Sequence, residues 1–436
     1  MTSNCRVQVP ATGVDPPTLT ALQLGAVCAG NALAFYDFLT FSFFAIQIGN
    51  AYFPNADPSS SLLWSLGTFA IGFITRPLGA LVIGTYGDRR GRKPAMLLSF
   101  ALMGVAMLGM AALPSYGQIG PLAPVLLVTL RLVQGFALGG EVGPSTAYLL
   151  EVAPRHRRGL FVALQNGTQH VAIFVAGLVG WCVATLLSPS EVGAWGWRIA
   201  FAVGVLIVPV GLAIRRHLPE TLPDPQQATL VPGAAKTARL LIPISFVLLG
   251  ATTIVTYVLY YMTTYAQDSL HMGISAAFGA TLAVATCSIG GALTGGLLAD
   301  RFGRKPVMLA AAGAMLVLVV PAFSWVLREH SAFALYVATG TLGFLAEVVS
   351  VPVVVTITER LPRNIRSRTL GVLYAVAIAA CGGSTQYVVK RLIDATESAL
   401  APAWYFAVAL ALGALAMALL RERWPEADRG LITEAQ

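Results

Sequence analysis

A stretch of this chain occurs twice. Gly84-Thr-Tyr-Gly-Asp-Arg-Arg-Gly-Arg-Lys-Pro-Ala-Met-Leu97 returns 212 residues later as Gly296-Leu-Leu-Ala-Asp-Arg-Phe-Gly-Arg-Lys-Pro-Val-Met-Leu309. Each copy is short and basic, with a long apolar segment on either side. A tight turn at a membrane surface has that composition, and its duplication calls for two halves of like build. A second echo, Glu151-Val-Ala-Pro-Arg155 and Glu359-Arg-Leu-Pro-Arg363, lies 208 residues apart. Two unrelated motifs at nearly the same offset speak for duplication rather than coincidence.

The composition agrees with a membrane protein. Of 436 residues, 56% are hydrophobic and 11% charged, against roughly a quarter charged in soluble domains. A net charge of +8 can signal nucleic acid, yet the basic residues stand in short clusters between apolar stretches. They are topology signals, and no nucleic-acid partner is expected. Cys5, Cys28, Cys182, Cys287 and Cys381 are single and unspaced, so neither a disulfide framework nor a metal site is expected. No phosphate loop, G-x-S-x-G or metal-spaced His/Glu cluster appears, so no cofactor and no enzyme activity are expected. Residues 1–20 are polar and carry prolines, unlike a cleaved leader.

About 20 mainly apolar residues cross a bilayer. That rule gives twelve spans near 21–48, 61–84, 94–113, 122–149, 160–187, 198–215, 240–267, 274–299, 306–327, 331–357, 369–393 and 402–420. The expected fold is all-α and integral to the membrane, with a six-helix bundle over 21–216 and another over 240–420. A proline-bearing linker at 217–239 joins them, with tails at 1–20 and 421–436. Arginines and lysines crowd the even-numbered connections and the tails, which places both termini in the cytoplasm.

The doubled Gly-x-x-x-Asp-Arg-x-Gly-Arg-Lys resembles the loop signature of the major facilitator superfamily, and the likeness covers essentially the whole chain. The metabolite/proton symporter branch is the nearer match. Gly30-Asn31-Ala-Leu-Ala-Phe-Tyr36-Asp37-Phe38, Arg76-Pro77-Leu-Gly79, the run Arg131 to Glu141 and Trp197-Arg198-Ile carry that resemblance. Gly382-Gly-Ser-Thr-Gln386 through Ala401-Pro-Ala-Trp-Tyr405 is similar to citrate and tricarballylate carriers. Three features depart from the pattern. Ala34-Phe35 replaces the usual Glu-Trp, Lys390 and Arg391 replace uncharged residues, and Glu347 has no acidic counterpart. The identity of the anion therefore stays open.

An ionisable group in mid-membrane costs about 2.5–3.5 kcal/mol on insertion scales, so each asks for a partner or a cavity. In span four, Arg131, Gln134 and Glu141 share one helical face. They read either as a carboxylate-receiving cation with an acid beside it or as an interhelical lock. In span five, Gln165, Asn166, Gln169 and His170 form a stripe too polar to face lipid. His170 lies about 18 Å along the helix, near mid-membrane, and can change charge near neutral pH. In span seven, Thr253, Thr256, Tyr257, Tyr260, Tyr261 and Thr264 lie on one face, as core aromatics or a hydrogen-bonding wall. In span eleven, Gly382-Gly383 is expected to unwind the helix before Ser384, Thr385, Gln386 and Lys390. Lys390 then either binds a carboxylate or snorkels with Arg391 to the surface, and Glu347 either balances Lys390 or carries a proton. Asn31 and Tyr36 of span one complete the expected substrate set. The expected proton carriers are Asp37, His170 and Glu347, with Glu141 beside Arg131.

The repeated loop has a different expected role. The resemblance implies that Asp88 bonds a helix N-terminus of the opposite bundle, while Arg89, Arg92, Gly84 and Gly91 allow close packing. Asp300, Arg301, Gly303 and Arg304 are the second copy. Positive-inside retention alone explains the arginines but not Asp88 and Asp300.

Together these readings lead to a monomeric proton-coupled importer of a small organic anion, a di- or tricarboxylate such as citrate, working by alternating access in a bacterial inner membrane. Na+ is the alternative coupling ion. A betaine/proline symporter, a drug/proton antiporter and a ligand sensor are the rivals.

Overall fold

The computed structural model describes residues 32, 35, 36, 38–55, 57–90, 92–139, 157–216, 234–361 and 366–420. Of the expected sites, Asn31, Asp37, Gly91 and Glu141 lie outside these residues. So do the side chains of Asp88, Arg89 and Arg92.

The described chain is helical, with no strand among the described residues. Among the described residues, nine helices are long and apolar enough to cross a membrane, and Leu97–Ala112 is a shorter apolar helix. The helix Trp197–Arg216 and the partly described span one, ending in Ala45–Tyr52, bring the set to the twelve expected spans. Where both ends of a span are described its boundaries agree to a few residues, with one shift of note; the expected start of span one and end of span four lie outside the described residues. Span seven begins at Ala234 and runs to Asp268, so its helix takes up the end of the expected linker.

The repeat that marks the sequence also marks the packing. A methyl group added to Gly79 in span two would collide with the Phe136 carbonyl in span four. One added to Gly291 in span eight would collide with the Phe344 carbonyl in span ten. Gly291 stands 212 residues after Gly79, and Phe344 stands 208 after Phe136, the offsets of the two sequence echoes. Gly135 against Gly72 and Gly295 against Val348 extend these two contacts. Small residues let backbones touch in membranes, where no hydrophobic force drives helices together. Each half is thereby built on the same helix pair.

The repeated loops are tighter than their sequence suggested. The helix Arg76–Arg90 is followed at once by Arg92–Ala112, and Ile274–Phe302 is followed by Arg304–Glu329. In the second copy a single residue, Gly303, turns the chain at φ 91° and ψ 161°, a conformation that a side chain would strain. Most of each basic motif is therefore helical.

The expected unwinding of span eleven is replaced by a π turn. Arg366–Ala377 passes through Ile378–Gly382 into Gly383–Thr396 without losing its helical course. A methyl on Gly382 would press on Thr253 and Tyr257, and one on Gly383 on Phe73. These glycines bring span eleven close to spans seven and two instead of freeing its backbone.

Candidate functional site

The two bundles meet along spans five and eight. At the end that carries the basic loops, Asp300 accepts hydrogen bonds from the backbone N–H of Gly159 (3.0 Å) and Leu160 (3.1 Å). These amides open the helix Arg158–Leu186 and have no partner within it, so a carboxylate from the other bundle completes and charge-balances the helix end. Arg304 pairs with Asp300 (3.4 Å) and Glu359 (3.3 Å), and Arg158 reaches Glu359 (3.5 Å). Arg301 lies over the neighbouring Phe302 ring instead. Glu359 belongs to the second sequence echo, so both repeated motifs meet in one network. In the first copy, an added methyl on Gly84 would meet nothing within 4 Å.

Smaller contacts join the bundles at the opposite end. Ser42 exchanges hydrogen bonds with Gln386 (2.6 and 2.9 Å), Gln47 donates to Gln267 (3.2 Å) and Ser59 to Asp394 (3.1 Å). Gln386 is thus a fully buried strut between spans one and eleven. Asp57 caps span two through Ser59 and Ser60, and the Ser60 hydroxyl bond, ahead of the backbone bonds, holds its carboxyl below the usual range.

Between these ends lies a cavity, centred near the midpoints of spans five and ten. Span five contributes Gln165, Asn166, Gln169 and His170, the whole polar stripe read from its spacing. Span seven contributes Thr252, Thr253, Thr256, Tyr257 and Tyr260. Glu347 and Ser350 of span ten, Tyr374 of span eleven and Phe35 of span one close the wall. Ser350 follows Glu347 by one helical turn and was legible by that spacing. Tyr374 and Phe35 carry no comparable signal.

His170 Nε2 lies 3.1 Å from Glu347 Oε1, joining the two bundles inside this wall. Both side chains are buried, at 4% and 5% exposure, and Asn166 lies 3.5 Å from the second carboxylate oxygen. His170 Nδ1 is buried without a hydrogen-bond partner.

The remaining expected residues lie elsewhere. Tyr36 is buried and donates to the Ala200 carbonyl at 2.8 Å, inside the first bundle. Arg131 is fully buried among the rings of Phe38 (4.3 Å), Phe41 (4.4 Å) and Phe69 (5.2 Å), and it donates to Gln134. Neither Arg131 nor Gln134 lines the cavity. Tyr261 is buried beyond it, and Thr385 bonds back to the Cys381 carbonyl. Lys390 neither snorkels nor meets Glu347. It sits between Asp268 and Asp394, 2.9 Å from each. Asp394 is four residues on and therefore legible, whereas Asp268 comes from span seven.

Duplicated halves, helix pairs in backbone contact and a polar cavity between bundles define a membrane transporter of twelve spans. The profile of the Major Facilitator Superfamily matches residues 27–383, and the chain belongs to that family. It is a transporter, not an enzyme. Among individual proteins it is 32% identical to a citrate-proton symporter of Klebsiella pneumoniae, covering 97% of this chain and 98% of that one. It is also 32% identical to the alpha-ketoglutarate permease of Escherichia coli, covering 84% and 85%. A proline/betaine transporter of Escherichia coli is 27% identical over 91% and 82%. The fold matches a partially occluded inward-open structure of the xylose transporter XylE from E. coli. That match has a TM-score of 0.75 at 17% identity and covers 91% and 96% of the two chains.

Proposed function

We propose that this transporter is a proton-coupled symporter that imports a small organic anion, a di- or tricarboxylate such as citrate, by alternating access. The reading places it in a bacterial inner membrane with both termini cytoplasmic, as the distribution of arginine and lysine between loops suggests. The observation that carries it is the His170–Glu347 pair, which joins the bundles within a wall of amides and hydroxyls.

Amide N–H groups of Gln165, Asn166 and Gln169 and hydroxyls of Tyr257 and Tyr260 suit carboxylate oxygens. With Glu347 ionised and His170 neutral, the pair carries a negative charge and repels an anion. Protonation of one member makes it neutral, and protonation of both makes it a cation. Proton uptake thus favours anion binding, which is the coupling that symport requires. The need is energetic, because a trivalent anion entering against a negative-inside potential is opposed by about 2.3 kcal/mol per charge per 100 mV.

A betaine or proline carrier is the second reading. Tyr257 and Tyr260 meet edge to face at 5.6 Å and provide aromatic surface for a quaternary ammonium. Uptake of radiolabelled citrate, tricarballylate, 2-oxoglutarate and betaine into proteoliposomes, with and without an imposed pH gradient, separates the two. Carboxylate uptake driven by inward proton movement is expected. Entry of betaine with no competition from any carboxylate would refute the anion reading.

A further inference from the structure

We infer that Glu347 is a built-in stand-in for the substrate: in the empty cavity its carboxylate occupies the donors that a substrate carboxylate takes over, and substrate binding releases it. This rests on the carboxylate reading above. Asn166 and His170 stand four residues apart in span five, so they lie one turn apart on the same face. Both meet one carboxylate of span ten. Asn166 Nδ2 donates to Glu347 Oε2 across 3.5 Å, and His170 Nε2 lies 3.1 Å from Oε1. Each oxygen is thus engaged by a different side chain, and the Glu347 side chain is 5% exposed. All three residues line the cavity, and Glu347 is the one carboxylate among its described lining residues.

This clamp has the form of a carboxylate site whose carboxylate comes from within the protein. An ionised carboxylate only accepts hydrogen bonds, and amide and imidazole N–H groups donate to it; a substrate carboxylate makes the same demand. Buried donors without an acceptor are unfavourable, and Glu347 supplies the acceptor while the cavity is empty. There is room beside the clamp. Gly167, between the two donors in the chain, is buried, yet a methyl group added there would meet nothing within 4 Å. The donors belong to the first bundle and Glu347 to the second, so a substrate that takes the donors opens the link between bundles at this depth. Binding is thereby tied to the movement that alternating access needs. Substrate and Glu347 compete for one pair of N–H groups, and apparent affinity is reduced by the fraction of time that Glu347 holds them. A contact that served packing alone would leave that affinity untouched.

The test uses full-length protein in detergent at one fixed pH, reading the apparent Kd of citrate and of 2-oxoglutarate by calorimetry. Glu347→Ala is expected to lower both about tenfold, equivalent to about 1.4 kcal/mol. Glu347→Gln, whose amide oxygen still accepts from one donor, should lower them less. Asn166→Ala should change the Kd little on its own, because ligand and Glu347 lose the same donor. In the Glu347→Ala background it should raise the Kd about tenfold. An unchanged or raised Kd in both Glu347 variants, or an Asn166→Ala effect of equal size in the two backgrounds, would overturn the inference. Should those Glu347 variants be recovered unfolded, Glu347→Asp decides alone. It keeps the charge but draws the carboxylate back from both donors, so the Kd should fall, and a Kd that does not fall overturns the inference. A wild type that binds betaine and neither carboxylate removes the carboxylate reading itself. Carboxylate binding that ignores Glu347 removes this inference only.

Discussion

Two buried charge clusters in this protein look alike and join different parts of it. His170 and Glu347 pair across the two bundles at mid-depth. Lys390, Asp268 and Asp394 make their ion pairs within the second bundle, between spans seven and eleven, with one hydroxyl of the first bundle, Ser59, donating to Asp394 at the exposed rim. In the proposed cycle of alternating access the first pair would be broken and remade, while the lysine would keep both its carboxylates and lose only the Ser59 contact to Asp394. The first cluster also has amide and hydroxyl neighbours facing a cavity, whereas the second has a net charge of −1 and two carboxylates already on its lysine. On the proposed cycle, what would set a buried ion pair in the transport step is which bodies it joins, not how strong it is.

The comparison breaks most sharply at Glu347. Glu347→Gln takes away the carboxylate of the pair, and a coupling free energy of about 1–3 kcal/mol corresponds to about a 5- to 150-fold loss of proton-driven accumulation in the proteoliposome assay. Exchange of internal for external substrate without a gradient should fall less. Equal loss of both would mean that Glu347 only holds the bundles together.

Asp300→Asn probes the basic-loop end, where the carboxylate completes a helix N-terminus of the opposite bundle. That interaction is worth about 0.3–1 kcal/mol, rising to about 2 when partly buried. A single cysteine at Ala163, which packs against Gly296, should react with a maleimide about two- to fivefold faster in the Asp300→Asn background. An unchanged rate would remove Asp300 from closure of that end.

Lys390→Gln should have the smallest effect. Its partners are 22% and 31% exposed, so solvent screens much of the loss and about 1 kcal/mol of stability is expected. A modestly lower unfolding temperature in detergent, with a reduced maximal rate rather than a raised citrate KM, is the outcome that fits a strut inside one bundle. A raised KM alone would return Lys390 to the substrate site.

Within each helix, spacing carried the information. The stripe of span five was readable because polar residues three and four apart share a face that lipid does not accept, and all four of its members line the cavity. The face of span seven was readable to a limit: Tyr257 and Tyr260 reach the cavity, while Tyr261 lies buried past it. Periodicity fixes a face, and it does not say how deep the cavity runs along that face. The double glycine of span eleven misled for a related reason. Glycine signals either loose backbone or close approach, and here Thr253, Tyr257 and Phe73 decide for close approach.

The amino-acid order by itself determined the twelve apolar spans, the two-fold repeat and the basic loops, since a bilayer accepts only helices of sufficient length and duplicated motifs keep their offsets. Partnership between distant charges was decided by tertiary structure alone. His170 meets Glu347 and Lys390 meets Asp268 only because helices far apart in the chain are pressed side by side. A buried charge takes the nearest group able to compensate it, and nearness in space is not written in the periodicity of any one helix.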